Sequence, residues 1–115
     1  MNDSEAKKEI LYIAQEMLKG SIDLIIGCRL IKSLRHQTNI SDNEIFVPFI
    51  GIDSQTDHYP LGKVRELCDP DYLARVDKEI SDFLAFTSEY IRDACRDLIK
   101  TLTIDTLQNG EQIVM

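Results

Sequence analysis

The chain has 115 residues, a net charge of −7 and 43% hydrophobic residues. That length supports one domain around one modest core, and that hydrophobic content excludes wholesale disorder. The acidic balance disfavours direct binding to nucleic acid, where Lys and Arg must replace counterions along the phosphates.

The same acidity favours a cationic partner, because opposite fields speed encounter and suppress wrong partners. The plainer reading is that the charge keeps the protein soluble. Apolar runs such as Leu24-Ile25-Ile26 are far too short to span a bilayer, so no membrane partner is expected. The polar, acidic start Met1-Asn2-Asp3-Ser4-Glu5 does not read as a secretory signal, and a cytoplasmic location is expected. Cys28, Cys68 and Cys95 stand apart and form neither a Cys-x-x-Cys motif nor a disulfide framework. Cys28 and Cys95 fall in apolar-periodic stretches, where a thiol acts as a small hydrophobe.

The first helix is predicted over Ser4 to Lys19. Ala6, Ile10, Ile13, Ala14, Met17 and Leu18 repeat at the helical period. Asn2 suits the N-cap with Glu5 as its capping-box partner, and Gly20 suits the position after the last turn. Ser21 is read as the cap of a second helix over Ile22 to His36, antiparallel to the first, with a mere kink at Gly20-Ser21 as the alternative. Its buried face is Ile22, Ile25, Ile26, Leu30 and Leu34, with Arg29, Lys32 and Arg35 off that face. Gly27 inside it costs about 1 kcal/mol against Ala, and a close helix crossing would explain it.

No Lys or Arg occurs from His36 to Gly62. Within this stretch, Gln37 to Tyr59 shows no helical period and is read as a long acidic loop. Phe46, Val47, Phe49, Ile50 and Ile52 are too apolar to be solvated, so some of them should fold back and pin the loop. Pinning would present Asp53, Ser54, Thr56 and Asp57 in a fixed arrangement, which lowers the ordering cost of recognition. Their short polar side chains also serve turn geometry.

Pro60 fits the first turn of a short helix over Leu61 to Leu67. Asp69-Pro70 makes an N-cap and N1 pair for a long helix of about 30 residues, with a bend at Thr87-Ser88 as the alternative. Its apolar positions are Leu73, Val76, Ile80, Phe83, Leu84, Tyr90, Ile91, Ala94, Leu98 and Leu102. From Thr101 to Met115 the composition turns β-branched, and Asn109-Gly110 is a hairpin signal. That tail is read as a short β-hairpin or a loosely packed end. The fold expected is therefore mostly α: one domain over residues 1–115, a small helical bundle with a long C-terminal helix and an acidic loop over one end.

No residue set spells out a reaction. Asp53, Asp57 and His58 are the nearest thing to a metal or acid–base site, but no His-x-x-x-His or His-Glu-x-x-His pattern accompanies them. Ser54 lacks a Gly-x-Ser-x-Gly elbow, and the glycines stand apart rather than in a phosphate loop. No catalytic residue, cofactor or metal is assigned, and the chain is read as a non-enzyme. A partner-binding surface fits better: loop carboxylates for steering, with Phe46, Phe49 or Tyr59 as anchors. At least one of the two phenylalanines is expected in the core.

The segment Leu18 to Arg29, then Leu34-Arg35, then Phe49 to Gly62 with Arg65, resembles small acidic immunity proteins encoded beside polymorphic toxins, including those of contact-dependent growth inhibition systems. The likeness covers roughly residues 10 to 100. Its specific part is the Asp-Ser-x-Thr-Asp-His-x-Pro-x-Gly run from Asp53 to Gly62, with Gln55 where Glu is expected. The resemblance implies an inhibitor of a cognate basic toxin domain, a nuclease type being the expected partner. The partner contacts expected are Asp53, Asp57 and Glu44 as charges and Tyr59 as anchor, then Asp42 and His58. Two readings stand as alternatives: a small metal-dependent enzyme using Asp53, Asp57 and His58, and a subunit that weakly pairs with itself through the long helix.

Overall fold

Asn2 opens the first helix by accepting a hydrogen bond from the Glu5 backbone N–H at 2.8 Å, while its amide donates to the Glu5 carboxylate at 3.0 Å. This reciprocal pair satisfies helix-start groups that have no partner within the helix. In the computed structural model the backbone is described for residues 1–114 and side chains for residues 1–104. Helix α1 covers Asp3–Lys19 and ends at Gly20, whose φ of 84° is left-handed. A Cβ would be strained there, which is the reason for glycine at this joint.

Helix α2 covers Leu24–Leu34, and its cap is Asp23 rather than Ser21. Asp23 Oδ1 accepts from the N–H groups of Ile25 and Ile26, both at 3.0 Å. A carboxylate at a helix start gains both capping bonds and a favourable interaction with the helix dipole, so it outcompetes the serine two residues earlier. The face of α2 is also rotated from the expected one: Leu24, Ile25, Gly27, Cys28 and Ile31 are buried, while Leu30 is exposed.

Gly27 lies at a tight contact between α2 and α1. A Cβ built there would lie 2.3 Å from Met17 Sδ and 2.5 Å from Met17 Cγ. The glycine therefore buys helix–helix proximity at a cost in local helix propensity of about 1 kcal/mol.

The stretch expected as an irregular loop is mostly helical. Two 3-10 turns, Arg35–Gln37 and Glu44–Phe46, lead into helix α3 over Val47–Thr56. Pro48 lies in the first turn of α3, where its missing N–H costs nothing. Phe46, Phe49, Ile52, Asp53 and Thr56 are buried, a helical spacing that places two polar residues on the inward face. Asp3 accepts from the Asn39 backbone N–H at 2.7 Å, and Arg35 donates to the Ser41 carbonyl at 3.0 Å, so the connection is tied at two points.

A 3-10 segment over Gly62–Leu67 follows, and Asp69 caps helix α4, which covers Pro70–Val114. Helix α4 continues without a break through Thr87, whose hydroxyl donates to the Phe83 carbonyl within the helix at 2.8 Å. Thr101 to Ile104 are helical rather than extended; the Asn109-Gly110 turn expected for a hairpin lies outside the residues whose side chains are described. Among the described residues there is no strand.

Ile91, Ala94, Cys95, Leu98 and Leu102 of α4 pack with Ile10, Ile13, Ala14 and Met17 of α1, and with Phe46 and Phe49, into one core. Earlier on α4, Val76 is buried, but Leu73, Ile80, Phe83 and Leu84 are only half-buried and Tyr90 is exposed, contrary to the expectation of a continuous core stripe. No helix is long and apolar enough to cross a membrane among the described residues.

Gly27→Ala is expected to lower stability by about 1–3 kcal/mol, since overpacking against Met17 outweighs the propensity gain. Urea denaturation checks it: a reduced midpoint with unchanged slope is expected, and a midpoint at or above that of the parent chain contradicts the crossing.

Candidate functional site

The organising group is the carboxylate of Asp53, which is 5% exposed. Arg29 Nε donates to Oδ1 at 3.0 Å and Lys32 Nζ donates to Oδ2 at 2.8 Å. Arg29 Nη2 reaches on to the Thr56 carbonyl at 2.8 Å, satisfying an acceptor in the last turn of α3. Thr56 itself is buried and its hydroxyl donates to the Ile52 carbonyl at 2.7 Å. Two cations one turn apart on α2 thus clasp one anion on α3.

Burial pushes the Asp53 carboxyl up, but the hydrogen bonds from Lys32 and Arg29 outweigh it, and the pKa settles below the ordinary carboxylate value. Asp53 is therefore a charged structural group with both oxygens engaged. A partner would have to break these bonds to use it.

The remaining expected contacts lie at the two ends of α3. Asp42 and Glu44 are exposed before its N-terminus. Asp57, His58 and Tyr59 follow its C-terminus. Ten residues of helix separate the two groups by about 15 Å, so the six residues do not form one cluster.

The C-terminal group has a defined geometry. Asp57 and His58 are exposed, with Oδ1 and Nδ1 3.9 Å apart. The rings of His58 and Tyr59 lie 4.2 Å between centroids, tilted by 46°. These residues border a cleft of about 220 Å³ closed on the other side by Tyr72, Arg75, Val76 and Glu79 of α4. Arg65 holds the connecting segment to α4 by donating to both oxygens of Asp77, at 2.9 and 2.8 Å, and to the Pro60 carbonyl at 3.4 Å. The cleft offers two phenol rings, an imidazole, a guanidinium and a carboxylate, a mixed surface for a polar or charged side chain.

The Asp53, Asp57 and His58 set needed for a metal site is not assembled, because Asp53 is turned to α2 and bonded there. Among the described residues no group of three His, Cys, Asp or Glu side chains could hold a metal ion. Burial pushes the Cys28 thiol up to about 12 and the Cys95 thiol up to about 11, so both are protonated and unreactive near neutrality. The chain matches no protein-family model, no curated protein and no solved structure.

Sequence reasoning missed the roles of Arg29 and Lys32, and of Tyr72, Arg75 and Glu79 on α4. Arg29 and Lys32 carried a signal: they are one helical turn apart, just before a stretch that has acids and no Lys or Arg. Tyr72, Arg75 and Glu79 carried none, since the cleft depends on how the 57–67 segment lies on α4.

Asp53→Asn is expected to cost about 2 kcal/mol, below the range for a fully buried pair because Arg29 and Lys32 remain about a third exposed. The depressed pKa sets the sign of the pH effect. The clasp contributes fully above the unfolded carboxylate value of about 3.9 and is lost as pH falls through the lower folded value. Acid denaturation should therefore be shallower in Asp53→Asn below about pH 4, and parallel curves would show that the clasp does not contribute.

A thiol reagent at neutral pH should modify Cys68 in the native protein, and Cys28 and Cys95 only after unfolding. Rapid native labelling of either buried cysteine counts against the packing described.

Proposed function

We propose that this protein is an immunity-type inhibitor that binds and neutralises a cognate cationic toxin domain of nuclease type. The observation that carries the proposal is the Asp53 clasp. It fixes α3 as a short rigid helix in a stretch without Lys or Arg, with Asp42 and Glu44 exposed at one end and, at the other, Asp57 and His58 exposed beside a half-buried Tyr59. A fixed acidic frame loses little freedom on binding and suits a basic partner.

The resemblance of the Asp53–Gly62 run to acidic immunity proteins supports the same reading. In it Asp53 builds the frame, Asp57 meets a partner cation, and His58 and Tyr59 line the contact. Glu44 and Asp42 add to the field that steers encounter.

The test is co-expression with the C-terminal domain encoded directly upstream. Restored growth and a complex that survives purification are expected; absence of both rejects that pairing. Glu44→Lys with Asp57→Lys should slow association by about tenfold and reduce its salt dependence, leaving the fold intact. Unchanged association rates would remove both ends of α3 from the steering field.

A further inference from the structure

One face of α4 is unlike the rest of the surface. Phe86 is 89% exposed and Tyr90, one turn on, is 54% exposed. Phe83 beside them is half-buried. At about 100° per residue, Tyr72, Val76, Glu79, Phe83, Phe86 and Tyr90 fall within about 40° of one line along the helix. The core residues Ile91, Cys95, Leu98 and Leu102 lie to one side of that line. The ridge therefore runs from the cleft at Tyr72 and Glu79 to Tyr90 along the edge of the packed face, with Val76 buried, Phe83 packed against the core, and Phe86 and Tyr90 standing clear of it.

Its charge leans acidic. Between residues 72 and 93 five carboxylates, Asp77, Glu79, Asp82, Glu89 and Asp93, stand against three cations, Arg75, Lys78 and Arg92. Asp82 is paired with Lys78, and Glu89 shares Arg96 with Asp93. Glu79 makes no ion pair among the described residues. Exposed aromatics bordered by acids have the composition of an interface centre with an attractive rim. A second copy laid across this face would bring carboxylates against carboxylates, which disfavours self-pairing.

We propose that the Phe83–Phe86–Tyr90 face of α4, continuous with the Tyr59–Tyr72–Glu79 cleft, docks a basic protein surface. The partner sets an apolar side chain against Phe86 and Tyr90, and a Lys or Arg into the cleft beside Glu79. The cleft volume of about 220 Å³ admits one such side chain, whose cation would lie near two phenol rings and the Glu79 carboxylate, with Arg75 and His58 also on the lining. This places most of the contact on α4 rather than on α3. It rests on the inhibitor reading only for the basic character of the partner.

The test uses the full chain, isotope-labelled, with a synthetic amphipathic helix of Lys and Leu as probe. Backbone shift changes are expected on residues 72–93 and at 58–59. Phe86→Ser should weaken binding by about tenfold, and Glu79→Lys should weaken it and lower its salt dependence. Phe86 is on the surface, so its variant should keep the parent helicity, which circular dichroism verifies; Glu79→Lys gives an independent readout. Shifts centred on the ends of α3, shifts spread over the whole acidic surface, or affinity within about twofold of the parent in Phe86→Ser overturn the proposal. Concentration-dependent dimers abolished by Phe86→Ser also overturn it, since a second copy would then cover the face. A toxin complex indifferent to Phe86→Ser sinks this face and leaves the inhibitor reading standing. A face that binds the probe as expected, in a chain that rescues no toxin, does the reverse.

Discussion

The bonds from Arg29 and Lys32 to Asp53 determine the course of the middle third of the chain. Without them α3 would have to bury an unpaired carboxylate, at a cost that would favour keeping the segment in solvent. With them, the carboxylate becomes the point that sets the rotation of α3 against α2. Phe46 and Phe49 are then carried to the core, and Thr56 is buried with its hydroxyl satisfied within its own helix. The exposed acids at the two ends of α3 take their positions from this one junction.

The clasp also separates charges by role. The carboxylate of Asp53 is spent on architecture, while Asp42, Glu44 and Asp57 remain in water. A buried, doubly bonded acid resists exchange of partners, whereas solvated acids can meet a new cation at little cost in desolvation. The same division recurs on α4. There Asp77 is committed to Arg65, and Glu79, at the cleft, makes no ion pair among the described residues.

The helical frame was legible in the sequence where apolar residues alone mark the inward face. The cap at Asn2, the stop at Gly20, the close crossing at Gly27 and the start at Asp69-Pro70 all have local chemical causes. Helix α3 was not legible because two of its inward positions are Asp53 and Thr56, which read as solvated. Its aromatic, β-branched, Pro and Gly residues also have weak helix preference. Tyr90 was misplaced for the opposite reason: a large ring at a near-helical spacing suggests burial, although it falls just past the edge of the packed stripe. The expected site was half legible. Tyr59 and His58 do border a cleft, but its far wall comes from α4, and no local pattern joins residue 59 to residue 79.

The near-complete exposure of Phe86 has a consequence for sequence drift. A side chain that touches so little of its own protein can be exchanged with almost no effect on folding. Gly27, Asp53 and Met17 have no such freedom, because each is wedged against or bonded to a neighbouring helix. Substitutions can therefore accumulate along the outer ridge of α4 while the scaffold beneath stays constant. Descendants of one ancestral chain could in this way come to differ in what they hold long before they differ in how they fold.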